Sequence, residues 1–286
     1  MNRVRRLLVA LSLLLLSASA ALAGTTPQAV PRFAHVLVVV FENHERTDIQ
    51  GQAPTFDSLA TQYASLTDYN AVSHPSLPNY LALVSGSTQG ITSDCTDCVV
   101  HARSLADTLA AAGLTWKTYA EGIPAAGFIG QAGALYGKRH DPFAYFANVR
   151  SRPAWRRRIV PFAQLHRDLA AHRLPAFSLL VPNVCNDMHD CPISTGDAWL
   201  RRNVVPLLST KQLARSVVFV VFDEGNTNVG GGGNVEALAL GPLVKPGAVD
   251  AQPTSHYGLL RTIEASWNLP LLGESAKAQP ITGIWK

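Results

Sequence analysis

Apolar runs rich in valine and leucine recur at residues 35–41, 177–181, 216–222 and 236–240, with a more polar one at 115–120, and nothing else in the chain limits its fold as much. A strand with one wet face alternates apolar and polar residues. An unbroken run must be covered on both faces, as in a parallel sheet flanked by helices. Helical spacing fills the intervals, over 54–64, 77–85, 102–112, 161–171, 197–208 and 256–267. Strand and helix in alternation predict a doubly wound α/β fold. Residues 121–160 break the pattern: rich in glycine, aromatics and arginine, they hold no sustained period and read as an irregular cap inserted into a single domain.

The chain opens with MNRVRRLLVALSLLLLSASAALA, in which Arg3, Arg5 and Arg6 precede the apolar run 7–16 and the small-residue pattern Ala21-Leu22-Ala23. That is the layout of a signal peptide over 1–23, with an apolar part too short to span a bilayer comfortably. The mature chain, 24–286, is then expected to be secreted or periplasmic. Cleavage removes three arginines and no acids, leaving 21 basic residues against 20 acidic ones. The basic isoelectric point is therefore no argument for a nucleic-acid partner. What positive charge is concentrated lies in RSRPAWRRR, between Arg150 and Arg158. This segment is either a solvated loop or a surface that meets an anionic substrate or, transiently, a lipid membrane. Export also makes the four cysteines disulfide candidates, and of three connectivities the simplest is local, Cys95 with Cys98 and Cys185 with Cys191.

Ligands of open α/β sheets bind beyond the carboxyl ends of the strands. Glu42 and Asn43 follow the first apolar run, Asp223 and Glu224 follow SVVFVVF, and NVCNDMHDC (183–191) follows FSLLVP. Carboxylates gathered at one sheet edge repel unless a cation or a proton sits between them. Their oxygens suit one divalent ion, Mg, Ca or Mn, or Zn or Fe with help from a histidine. Ser76, in SHPSLPNYLALVSG (73–86), stands at the start of an apolar helix, either as its N-cap or as a nucleophile beside its positive end. Asn79 could turn back toward the same anion. His189 lies in a loop bracketed by Cys185 and Cys191. His256 opens the last helix, where the dipole favours a neutral ring. NTNVGGGGN (226–234) lacks the Gly-Lys-Ser/Thr ending of a phosphate cradle and reads as a flexible loop beside the site.

Glu42-Asn43, HPSLPNY (74–80), PNVCNDMHD (182–190), FDEG (222–225) and SHYG (255–258), in that order, resemble the bacterial phosphoesterase family. That family holds secreted acid phosphatases and phospholipases C and belongs to the alkaline phosphatase superfamily. The likeness runs from about residue 33 to the C-terminus, and the spacing, the signal peptide and the closing PITGIW (280–285) together are most similar to the mycobacterial secreted acid phosphatase branch, which acts on phosphatidylinositol 3-phosphate. The resemblance implies an alkaline-phosphatase-like fold, with Glu42, Asn43, Asp223, Glu224 and Ser76 as metal ligands and Ser76 also as nucleophile, by way of a phosphoserine. It implies that Asn79, His189 and His256 face the phosphate, the histidines in place of a second metal and as proton carriers. The expected substrate is a phosphate monoester, either a small molecule or a phosphoinositide headgroup. Two other readings stay open: a phosphodiesterase of the phospholipase C kind, and a secreted binding protein that catalyses nothing.

Overall fold

A computed structural model describes residues 30–286, so the expected signal segment 1–23 lies outside the described residues. At the centre is strand β1 (Val36–Phe41), buried along its whole length. Its valines suit a pleated surface covered on both faces. Five further strands extend the sheet from β1: β6 (Phe177–Val181), β4 (Trp116–Ala120) and β5 (Ile159–Pro161) follow in parallel on one side, with β7 (Val217–Phe222), also parallel, and β8 (Ala237–Leu240), antiparallel to it, on the other. Beyond β8 come β2 (Ala64–Leu66), antiparallel to it, and β9 (Ala248–Asp250), parallel to β2. A small parallel ribbon pairs β3 (Tyr69–Asn70) with β10 (Thr254–Ser255). The order is β5-β4-β6-β1-β7-β8-β2-β9, the mostly parallel α/β sheet that the apolar runs predict.

All five predicted strands are present. Strands β2, β3, β5, β9 and β10 span only two or three residues, too few to show a period. The predicted helix 54–64 stops at Gln62, and Ala64 already belongs to β2. The stretch read as a helix over 197–208 is a helix from Ile193 to Asn203 followed by a 3-10 turn, Val205–Ser209. Pro206 brings no N–H for a longer helical ladder.

The expected cap is two different things. Residues 122–135 run mostly exposed beyond β4. From Tyr136 the chain turns inward through 3-10 turns Lys138–His140 and Pro142–Tyr145 and helix Ala147–Ser151. Phe143, Tyr145, Phe146 and Val149 are completely buried there, and the Phe143 ring lies 4.6 Å from that of Trp116. This half completes the core at the sheet edge. The arginine segment leads into the amino end of β5, where Arg152 covers the Trp155 ring at 4.6 Å and Arg158 the Trp116 ring at 5.5 Å. The cysteines pair locally as expected, Cys95 with Cys98 and Cys185 with Cys191. Among the described residues no helix is long and apolar enough to cross a membrane.

Candidate active site

The loops leaving β1, β6 and β7 meet at one end of the sheet and are tied by backbone bonds: Glu42 N–H donates to the Asp187 carbonyl at 2.9 Å, and Asp223 N–H to that of Phe41 at 2.9 Å. Against them lies the helix Ser76–Ser85. Pro75 is its N-cap and Ser76 its first helical residue, so the serine hydroxyl is not needed as a cap. It turns instead toward the carboxylates, donating to Glu42 Oε2 at 3.0 Å and standing 3.4 Å from Glu224 Oε1. One turn along the same face, the Tyr80 hydroxyl donates to the other oxygen, Glu42 Oε1.

Glu42, Ser76, Asp223 and Glu224 are all buried. Burial, reinforced by the neighbouring Asp223 and Asp187, pushes the Glu42 carboxyl well above its usual range. Burial and then Glu224 do the same to Asp223. Asn43 takes a left-handed backbone with φ 53°, and its N–H donates to Asp223 Oδ1 at 3.2 Å. Asn43 Oδ1 and Asp223 Oδ2 are buried without a hydrogen-bond partner. Orphaned oxygens beside mutually repelling carboxylates are the donor set of a hard divalent cation. The residues present therefore fit the expected metal.

A histidine that sequence reasoning did not single out completes this centre. His140 is fully buried, with Nε2 3.3 Å from Glu42 Oε1 and Nδ1 3.1 Å from Asp187 Oδ2. Neither ring nitrogen makes a well-aligned hydrogen bond. Glu42, His140 and Asp187 each bring one ligand atom within 4.8 Å of the others, a group that could hold a metal ion. Tyr80 stacks on the imidazole at 5.3 Å with the planes 9° apart. Burial keeps the His140 ring neutral, well below its usual titration range.

Asn79 and the two expected histidines occupy different environments from this centre. Asn79 Oδ1 accepts from Val72 and Ser73 N–H at 3.0 and 3.1 Å, and its Nδ2 donates to the carbonyls of Ser73 and Pro75 at 2.8 and 3.3 Å. Its amide is spent on shaping the loop that delivers Ser76. His256 is buried, and Nε2–H donates to the Asp223 backbone carbonyl at 2.6 Å while Nδ1 accepts from the Tyr69 hydroxyl at 3.0 Å. Burial lowers its pKa to about 4, so the ring is a neutral brace for the Asp223 turn. His189 is exposed at the rim, its Nδ1 2.6 Å from Asp190 Oδ1 and its ring 6.0 Å from that of His140.

The glycine-rich loop is pinned. Glu45 Oε1 accepts the N–H groups of Asn226 and Thr227, both at 2.9 Å. Thr227 carbonyl accepts from His74 Nε2 at 2.8 Å, and His74 Nδ1 stands 2.6 Å from Glu224 Oε2. A cavity of about 660 Å³ opens beside the centre, lined by His44, Gln52, Met188, His189, Asp190 and Ser194 among others.

A buried serine thus lies between carboxylates at the carboxyl edge of the parallel strands, and the sequence decides the family. The Phosphoesterase family profile matches residues 39–270. The chain belongs to the phosphoesterase family. It is 35% identical to the phosphatidylinositol-3-phosphatase of Mycobacterium tuberculosis, over all of this chain and 96% of that one. It is 32% identical to a phosphate-repressible acid phosphatase of Penicillium chrysogenum over 80% of this chain, but spans only 58% of that longer protein. Among solved structures, an alkaline phosphatase superfamily protein from Vibrio parahaemolyticus shares the fold with a TM-score of 0.60 at 14% identity, over 89% of this chain and 72% of that one. The phosphoesterase is accordingly a hydrolase acting on phosphoric ester bonds, built on an alkaline-phosphatase-like sheet.

Proposed function

We propose that this phosphoesterase is an exported, metal-dependent acid phosphatase that removes phosphate from monoesters, phosphoinositide headgroups included, through a phosphoserine on Ser76. The observation that carries the reading is the place of Ser76: first residue of a ten-residue helix, freed from capping, its hydroxyl held between Glu42 and Glu224. Glu42, Asn43, Asp223 and Glu224 would hold the cation beside Ser76, and His140 and Asp187 extend the same donor set through Glu42. A bound divalent ion supplies Lewis-acid charge for the phosphoryl oxygens and lowers the pKa of a coordinated hydroxyl. Ser76 Oγ attacks phosphorus in line, releasing its proton toward Glu42 Oε2, the acceptor it already faces. The helix start adds the pull of its positive end on the anion, although the Leu77 N–H is already taken by Asp94 Oδ1 and Pro78 has none. His189, the rim histidine, passes a proton from Nε2 to the leaving alkoxide and later helps water cleave the phosphoserine. His256 and Asn79 act by bracing the loops that carry Asp223 and Ser76.

The monoester preference and the phosphoinositide rest on the named activities of the relatives. The two disulfides suit an oxidising compartment and so support export. Assays with 4-nitrophenyl phosphate, bis(4-nitrophenyl) phosphate, phosphatidylinositol 3-phosphate and phosphatidylcholine test the reading. The monoesters should be cleaved, activity should vanish on chelation and return with a divalent metal, and Ser76→Ala should lose about 10³-fold or more in kcat. Cleavage of the diesters alone, or full activity after stripping the metal, sinks it.

A further inference from the structure

One cation stands at the mouth of the site. Arg139 lies in the turn Lys138–His140, immediately before the histidine wedged between Glu42 and Asp187. Its side chain is 22% exposed, and its Nε forms an ion pair with Asp94 Oδ2 at 3.7 Å, too long for a hydrogen bond. Among the described residues its only hydrogen bond is from Nη2 to His189 Nε2, at 3.0 Å. A guanidinium has five N–H donors, so most of these remain available to another acceptor. Asp94 Oδ1 in turn accepts the N–H of Leu77 at 2.9 Å, and Leu77 follows Ser76 in the first turn of its helix. The guanidinium is thus one carboxylate away from the helix end that presents the nucleophile.

The neighbouring basic groups are engaged elsewhere. Lys138 Nζ donates to the Thr96 carbonyl and lies over the Tyr145 ring, and His74 is held between Glu224 and Thr227. Meanwhile Glu42, Asp187, Asp223 and Glu224 make the centre strongly acidic. An incoming dianion needs a matching positive charge at the entrance, and a guanidinium takes two phosphoryl oxygens in its planar fork.

We propose that Arg139 is the phosphate-binding arginine of this site and that it favours monoester dianions over diester monoanions. The proposal rests on the phosphatase reading above and names the group that gives it its substrate class. A monoester offers three non-bridging oxygens and two charges, whereas a diester offers two oxygens and one charge. Loss of the guanidinium therefore costs the monoester more. In turning to phosphate Arg139 also leaves His189 Nε2, and that nitrogen is then free to face the leaving group.

The test uses metal-loaded wild type, Arg139→Gln and Arg139→Lys. Inorganic phosphate binding is measured by calorimetry, and kcat/KM is measured on 4-nitrophenyl phosphate and bis(4-nitrophenyl) phosphate. Arg139→Gln should weaken phosphate binding roughly 30- to 100-fold and cut kcat/KM on the monoester by a similar factor, with less than about a 10-fold loss on the diester. Arg139→Lys, which keeps the charge but loses the fork, should fall between. Unchanged phosphate affinity in Arg139→Gln, equal losses on both esters, or a wild type that binds no phosphate overturns the proposal. A wild type that binds phosphate yet cleaves neither ester removes the phosphatase reading instead, and the binding comparison still decides Arg139.

Discussion

Glu42 is held from both sides by residues one helical turn apart: Ser76 donates to Oε2 and Tyr80 to Oε1. The spacing i, i+4 puts both hydroxyls on one face of the helix, so a single backbone segment sets the proposed nucleophile and orients the carboxylate. Tyr80→Phe keeps the stack on His140 and deletes only the O–H. Outer hydrogen bonds to a ligating carboxylate typically change metal affinity about 10- to 100-fold, so the variant should bind a divalent ion that much more weakly in a competition titration, with little change in Tm. Equal affinity would show that the tyrosine hydroxyl does not orient Glu42. The candidate residues Glu42, Asn43, Ser76, Asp223 and Glu224 can be picked out in the sequence because each adjoins the end of a strand or the start of a helix, where loops converge at the sheet edge. Tyr80 and His140 cannot. Tyr80 has the spacing of an ordinary core aromatic, and His140 lies in a stretch with no period, where nothing announces that the chain turns inward. Asn79 and His256 were visible as polar residues in the right loops, but a sequence does not tell a side chain that faces a ligand from one that braces the backbone behind it.

At the scale of elements, the loop 225–233 shows most clearly what composition hides. Four successive glycines suggest freedom, yet Gly230, Gly231 and Gly233 use positive φ to fold the loop back over Ser73 and Glu45. A Cβ at Gly225 or Gly233 would meet Glu45 Oε1 at 2.3 or 2.5 Å, so the glycines are there for close approach of backbone to carboxylate. Glu45→Ala should release the loop: amide exchange over 226–233 should speed up, and kcat should fall roughly 10-fold as His74 loses the Thr227 carbonyl that steadies it against Glu224. Glu45→Gln still offers an oxygen to both N–H groups and should keep most of the protection. Unchanged exchange in Glu45→Ala would mean that the glycine geometry alone holds the loop. The long strands were readable because β1 and β7 each run for six buried residues, too short for a buried helix and too continuous for a strand with one wet face. The short ones are fixed by partners distant in sequence, as β2 is by β8 and β9. The rear half of 121–160 owes its order to the same kind of contact, aromatic packing on Trp116, which no local pattern records.

For the whole molecule, buried carboxyls away from the centre tie stability to pH. Glu264, in the helix His256–Trp267, is fully buried, accepting from Leu272 N–H at 2.9 Å and Ser275 Oγ at 2.7 Å. Burial outweighs those two bonds and raises its pKa from 4.5 to about 7. Glu236, beside Arg46 at 3.3 Å, is likewise raised by burial from 4.5 to about 7. Between those values the folded protein keeps a proton that the unfolded chain has released. By linkage the stabilisation is full below pH 4.5 and is lost as pH rises through 7. Asp168 acts the other way: against the burial that would raise it, hydrogen bonds from Lys117, Gln164 and Tyr119 hold its pKa below 3.8, so its contribution is lost only in stronger acid. Together they favour mildly acidic conditions, as the acid-phosphatase reading requires. Glu264→Gln isolates one group, since the amide preserves the shape but cannot ionise. The wild type should lose several degrees of Tm between pH 5 and pH 7.5, and the variant should lose less by roughly 3–8 °C, the equivalent of about 1–3 kcal/mol. Melts at matched metal loading keep the central carboxylates from entering the comparison. Parallel pH profiles for the two proteins would assign the dependence to other groups.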